Sequence, residues 1–248
     1  MKTIEYLEWN TGNKQTLVFI HGYADSASMF LPLKSFFPDK HLIAINLPMN
    51  QNTHKIYNVK ALAEYVMSIT KKLNITGYDL LGFSLGGLVA VEVASKDKNV
   101  RKLALLNSFP CLVVNTALRT SLTKLIPVVA KKAPLKLFSA ANNSDVLRKI
   151  LGAKKLTNET KTYIKNHNFS VLRTLLACLS YDGLNQYKDL NIPKIIVLFE
   201  DDRVLSYKKF SRYAMKNGIE TISMKRGGHN SDENYWNSMF ETLKKFLL

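Results

Sequence analysis

The 248-residue sequence predicts an α/β fold: a mostly parallel sheet with helices on both faces, interrupted by one helical insertion. Three observations predict it. Short, mostly apolar runs, as in strands buried on both faces, are bounded by turn residues. Segments of helical periodicity alternate with them. The alternation stops near Pro110 and resumes after Ile192.

Taken in order, residues 16–20 (Thr-Leu-Val-Phe-Ile) read as a buried strand ending at His21-Gly22. Residues 42–46 form a second, stopped by Pro48. Val59, Leu62, Val66, Ile69 and Leu73 recur at helical spacing over 58–73. A strand over 78–81 leads into a helix over about 85–95, and 102–106 is another strand. No comparable run occurs over 110–192. Helices are expected there over 118–129, 145–151, 158–166 and 171–179, broken up by Pro127, Pro134 and Gly152. A strand over 194–199, a helix near 206–217 and a strand over 219–225 follow. The last helix places Trp236, Phe240, Leu243 and Leu247 on one face. The division is therefore a core of residues 1–109 and 193–248 with an insertion at 110–192.

With 46% hydrophobic and 22% charged residues, the composition excludes disorder, collagen, a coiled coil and a disulfide-rich scaffold. A chain this long buries roughly 70–75% of its extended surface and needs no staple. No apolar run approaches the ~20 residues of a membrane helix. Glu5 and Glu8 do not fit a secretory signal, and Cys111 and Cys178 make no metal or redox motif. The expectation is a cytoplasmic monomer with free thiols, no metal and no cofactor.

The net charge is +16, from 28 Lys and 7 Arg against 19 acidic residues. No nucleic-acid motif or basic-aromatic interleaving accompanies it, so no nucleic-acid partner is expected. Residues 110–192 carry thirteen basic against four acidic residues, a net +9. One third of the chain thus holds over half the charge. A uniform lysine bias would spread it more evenly. A cationic face steers anionic substrates or carriers.

The chemistry centres on Gly82-Phe83-Ser84-Leu85-Gly86, a G-x-S-x-G between a predicted strand and a predicted helix. A serine at so sharp a turn is strained and stands clear of the sheet. The helix start offers free N–H groups to a developing oxyanion. A serine hydroxyl needs a base, and the base an orienting acid, in the chain order Ser, acid, His. Only His167 and His229 follow Ser84. His167 falls in the insertion. His229 lies in Gly227-Gly228-His229 after a predicted strand, where ligand sites collect in open α/β sheets. Glu200, Asp201 and Asp202 end the preceding strand, and spacing does not choose among them. The oxyanion donors are expected to be the N–H groups of Leu85 and Tyr23. His21 reads as a structural residue tying down the Tyr23 loop.

Together these residues resemble the α/β-hydrolase family. His21-Gly22-Tyr23 resembles its oxyanion loop, Gly82 to Gly87 its nucleophile elbow, and Gly228-His229 its histidine loop. Glu200-Asp201-Asp202-Arg203-Val204 resembles its acid loop, an alignment that selects Asp202. Residues 46–52 depart from the Asp-x-x-Gly-x-Gly of many capped members, since they contain no glycine. The resemblance implies an α/β-hydrolase fold, a helical cap at 110–192, and a serine carboxylic ester hydrolase working through an acyl-serine. The elbow, the aromatic residue after His21-Gly22 and the basic cap are similar to those of the pimeloyl-acyl carrier protein methyl ester esterases of biotin synthesis. That likeness implies a small acyl ester substrate and an acidic acyl carrier protein partner, with Arg148, Lys149, Lys154 and Lys155 as candidate contacts. Three readings compete: a general carboxylesterase or thioesterase, a menaquinone-pathway lyase with the same triad, and a non-catalytic binding module.

Overall fold

In the computed structural model, residues 4–23, 25–48, 57–112, 174, 178–202, 204–229 and 233–247 are described. Seven strands among them form one sheet: β1 (Tyr6–Trp9), β2 (Thr16–Ile20), β3 (His41–Ile45), β4 (Tyr78–Phe83), β5 (Val100–Leu106), β6 (Lys194–Phe199) and β7 (Ile222–Met224). Their spatial order is β1-β3-β2-β4-β5-β6-β7. Only the β1–β3 pair is antiparallel. The α/β class and mostly parallel sheet expected from the sequence are what the structure has. The strand order reverses direction between β2 and β4, so a crevice opens at their carboxyl ends.

Alternation along the strands builds two cores. Val18 and Ile20 of β2 join one apolar cluster with Leu62, Val66, Leu88 and Val91. Leu17 and Phe19 point the other way, into a cluster with Phe30, Phe240 and Leu243. Both faces are covered, which is why the middles of β2, β3 and β6 are apolar on both sides. Among the described residues the α-helices are α1 (Leu33–Phe36), α2 (Val59–Lys72), α3 (Leu85–Lys96), α4 (Leu184–Asp189), α5 (Tyr207–Lys216) and α6 (Glu233–Leu247). Helix α2 starts where the Asn58 side chain accepts the Ala61 N–H at 2.9 Å. Helix α3 is buried from Leu85 through Ala94, against the sheet, α2 and α4.

The predicted strands and helices of the core appear within a few residues of their expected ends. Three differences have physical causes. Strand β1 was not anticipated, because an antiparallel edge strand carrying Glu8 has no continuous apolar run. Strand β7 is shorter than 219–225. Gly218 turns left-handed at φ 64°, and the Ile219 N–H closes α5 on the Ala214 carbonyl at 2.9 Å, so 219–221 serve the helix exit. Helix α4 was also missed. Its Leu184 and Tyr187 join the first core cluster, and nearby Tyr181 donates to Glu92 of α3 at 3.0 Å.

Strands β5 and β6 are neighbours, so the chain leaves the sheet and returns beside its exit. The expected helices over 118–129, 145–151 and 158–166, most of 171–179, and His167 lie outside the described residues, as does the Trp236 side chain. Phe240, Leu243 and Leu247 are buried as expected. Cys111 and Cys178 are buried and form no disulfide; burial pushes the Cys178 thiol up to about 12. Among the described residues no helix is long and apolar enough to cross a membrane.

Candidate active site

Ser84 sits between β4 and α3 with φ 51° and ψ −120°, outside the regions a non-glycine residue prefers. The surroundings hold it there. Its N–H donates to the Leu106 carbonyl at 2.9 Å, and its carbonyl accepts the Gly87 N–H at 2.9 Å. The flanking glycines are required by close approach. A Cβ on Gly82 would lie 2.5 Å from the Gly86 carbonyl oxygen, and one on Gly86 would lie 2.3 Å from that of Ile20.

His229 arrives from the loop after β7. Its Nε2 stands 2.7 Å from Ser84 Oγ, and its Nδ1 stands 2.8 Å from Asp202 Oδ2. The carboxylate accepts the Nδ1–H, leaving Nε2 free to accept from the serine. Asp202 is only 7% exposed. Its other oxygen accepts the Val204 and Leu205 N–H groups at 2.7 and 2.9 Å, so the buried charge is fully satisfied. The three carboxylates left open by spacing separate here. Asp202 meets the imidazole, Asp201 accepts the Gly228 N–H at 2.8 Å, and Glu200 is exposed.

His21 is fully buried and performs a different task. Burial lowers its pKa to about 4, so it is neutral. Its Nδ1–H donates to the Gly22 carbonyl at 2.8 Å, and its Nε2 accepts the Leu47 N–H at 2.9 Å. This fastens the loop after β2 to the loop after β3. A Cβ on Gly22 would lie 3.2 Å from Ser84 Cβ, so the Gly22-Tyr23 backbone borders the serine. Leu85 is the first residue of α3, where N–H groups lack an intrahelical acceptor.

Two residues were missed in the sequence. Asn107 Nδ2 donates to the Gly228 and His229 carbonyls at 3.0 and 3.1 Å, and the Ser108 hydroxyl donates to the Ser84 carbonyl at 2.6 Å. Their position at the end of a buried strand was the one available signal. Arg148, Lys149, Lys154 and Lys155 lie outside the described residues, as do positions 49–52 of the glycine-free loop. Among the described residues no group of three or more His, Cys, Asp or Glu could hold a metal ion. The arrangement can do one kind of chemistry: move a proton from a serine hydroxyl to an imidazole oriented by a buried carboxylate.

Comparison with known proteins places the chain in a family. The chain is 26% identical to a pimeloyl-[acyl-carrier protein] methyl ester esterase of Xylella fastidiosa (strain M12), over 96% of each chain. Its fold is similar to that of an esterase from Exiguobacterium antarcticum (TM-score 0.70, 17% identity, 98% and 94% of the two chains). It is likewise similar to MenH from S. aureus (TM-score 0.72, 19% identity, 99% and 100% of the two chains). A family profile described as alpha/beta hydrolase fold matches residues 15–238. The chain therefore belongs to the α/β-hydrolase family.

Proposed function

We propose that this protein is a serine carboxylic ester hydrolase acting on an acyl methyl ester presented by an acidic carrier protein, the pimeloyl ester being the leading candidate. The observation that carries the hydrolase reading is the continuous chain Ser84–His229–Asp202, at 2.7 and 2.8 Å. The substrate reading is supported by the esterase relative aligned over 96% of both chains, and by the excess of basic residues in 110–192.

Ser84 Oγ attacks the ester carbonyl while His229 Nε2 takes its proton. The carbonyl oxygen becomes an oxyanion held by the N–H groups of Leu85 and Tyr23, each such donor contributing roughly 3–4 kcal/mol to the transition state. Collapse breaks the bond to the methoxy group, and the protonated His229 returns the proton, releasing methanol. Water then attacks the acyl-serine and loses a proton to the same nitrogen. The carboxylic acid departs and Ser84 regains its hydrogen. Asp202 stabilises the imidazolium in both halves.

The test compares hydrolysis of pimeloyl methyl ester on acyl carrier protein with the free ester, at low and high salt. Ser84→Ala and the quadruple variant Arg148→Glu, Lys149→Glu, Lys154→Glu, Lys155→Glu are the controls. A faster, salt-sensitive rate on the carrier, abolished in the first variant and reduced to the free-ester rate in the second, is expected. Equal rates on both esters would remove the carrier and leave a general esterase. No turnover of either by the parent would point to lyase chemistry on an anionic substrate.

A further inference from the structure

The serine and the histidine are carried by strands that do not touch. Ser84 follows β4 and His229 follows β7, with β5 and β6 between them in the sheet. A 2.7 Å separation across that gap needs a fastening. The histidine loop does not supply it alone, because Gly227 and Gly228 precede His229 and give the backbone wide freedom.

The end of β5 supplies two adjacent side chains, both wholly buried. Asn107 Nδ2 donates to the histidine loop twice, to the Gly228 carbonyl and to the His229 carbonyl. Ser108 places its hydroxyl on the carbonyl of Ser84 itself, at 2.6 Å. The dipeptide is anchored in turn. The Asn107 N–H donates to the Val197 carbonyl of β6 at 2.9 Å, and the preceding Leu106 carbonyl accepts the Ser84 N–H. Asn107 adopts φ 43°, a left-handed conformation that asparagine tolerates better than most side chains.

We propose that Asn107 and Ser108 are positioning residues that set the Ser84–His229 separation, one by holding the base's backbone and the other by holding the nucleophile's carbonyl. The proposal rests on Ser84 and His229 acting as nucleophile and base. Being wholly buried, neither side chain belongs to a surface that binds substrate. Their loss should therefore appear in kcat and in the rate of serine acylation, with KM little changed.

The experiment uses the full chain and a short-chain p-nitrophenyl ester. Parent, Ser84→Ala, Asn107→Ala, Ser108→Ala and the Asn107→Ala/Ser108→Ala double variant are compared for kcat, KM, thermal midpoint and fluorophosphonate labelling of Ser84. Each single variant should lose about 10- to 100-fold in kcat and labelling rate, as displacements near 1 Å do, while KM stays within about threefold. The double variant should fall little below the worse single one, because residues that act through one alignment are not additive. If Asn107→Ala does not fold, Ser108→Ala, which removes a single hydroxyl, decides. Folded variants with parental kcat, a loss confined to KM, or losses that multiply in the double variant would overturn the proposal. An unlabelled parent, or full activity in Ser84→Ala, overturns the serine reading and the proposal with it. A labelled parent with unaffected variants overturns the proposal alone.

Discussion

Replacing Asp202 with asparagine perturbs the proton relay without emptying its site. Oδ1 of Asp202 accepts the Val204 and Leu205 N–H groups, while Oδ2 faces His229 Nδ1. An asparagine must keep its oxygen on the two backbone donors, because its NH2 group cannot accept. The NH2 is then aimed at His229. The imidazole can accept that hydrogen bond only by moving its own proton from Nδ1 to Nε2. Nε2 then presents a proton to Ser84 Oγ, 2.7 Å away, and cannot take one. The corresponding change in a serine protease lowers kcat by about 10⁴. At about 1.36 kcal/mol per decade, this is a loss of about 5.5 kcal/mol of transition-state stabilisation. Shape and loop hydrogen bonds persist, so the thermal midpoint should move by no more than about 4 °C. Asp201→Asn is the control. Its acceptor role toward Gly228 passes to the amide oxygen, so activity should hold. The assay is steady-state hydrolysis of a short-chain p-nitrophenyl ester, with melting curves on each protein. Asp202→Asn retaining more than about a tenth of parental kcat, against the expected loss of about 10⁴, would refute the relay. Equal losses in the two variants would do the same.

Three further predictions concern stability. Gly86→Ala drives a Cβ to 2.3 and 2.5 Å from the Ile20 and His21 carbonyl oxygens, which cannot rotate away. It should cost about 3 kcal/mol and lower the midpoint by about 6–12 °C, so an unchanged melt would refute the close approach. His21, lowered by burial from 6.5 to about 4, stays neutral in the fold while the unfolded chain takes up a proton below 6.5. Stability should therefore be full above pH 6.5 and fall by about 3 kcal/mol as the pH drops through that window. Denaturant melts of the parent and His21→Gln at pH 7 and near pH 4 test it, and equal slopes in the two proteins would exclude His21 as the source. Asn58→Ala removes the acceptor for the Ala61 N–H at the start of α2. It should cost about 1 kcal/mol and about 2–4 °C in the midpoint, with kcat untouched.

What could be read from the sequence depended on how many faces an element buries. Strands β2 and β6, buried deep in the sheet, are nearly free of polar residues and were located to the residue. Strand β1 pairs on one side only, and nothing in its pattern marks it. Helix α3 is legible by its place after the G-x-S-x-G turn, not by its period, since burial all round erases the polar stripe a surface helix shows. Strand β7 starts later than its pattern suggests because Ile219 looks like a strand residue but completes the exit from α5.

The site divides along a similar line. Ser84 and His229 announce themselves through neighbours that the local backbone requires. Asp202 is also partly local: an aspartate accepting the N–H groups two and three residues ahead is an ordinary turn device, legible in principle. Yet the same device is open to Asp201 one residue earlier, so the choice between them cannot be local. It is made by the histidine loop, which delivers the Gly228 N–H to Asp201 and the imidazole to Asp202. That loop is itself placed by Asn107, a residue type common at strand ends, whose amide has meaning only once β5 and the loop after β7 converge. Residues carrying rare chemistry were therefore visible in one dimension. Those that set distances between them act across the sheet, and only the folded chain brings their partners within reach.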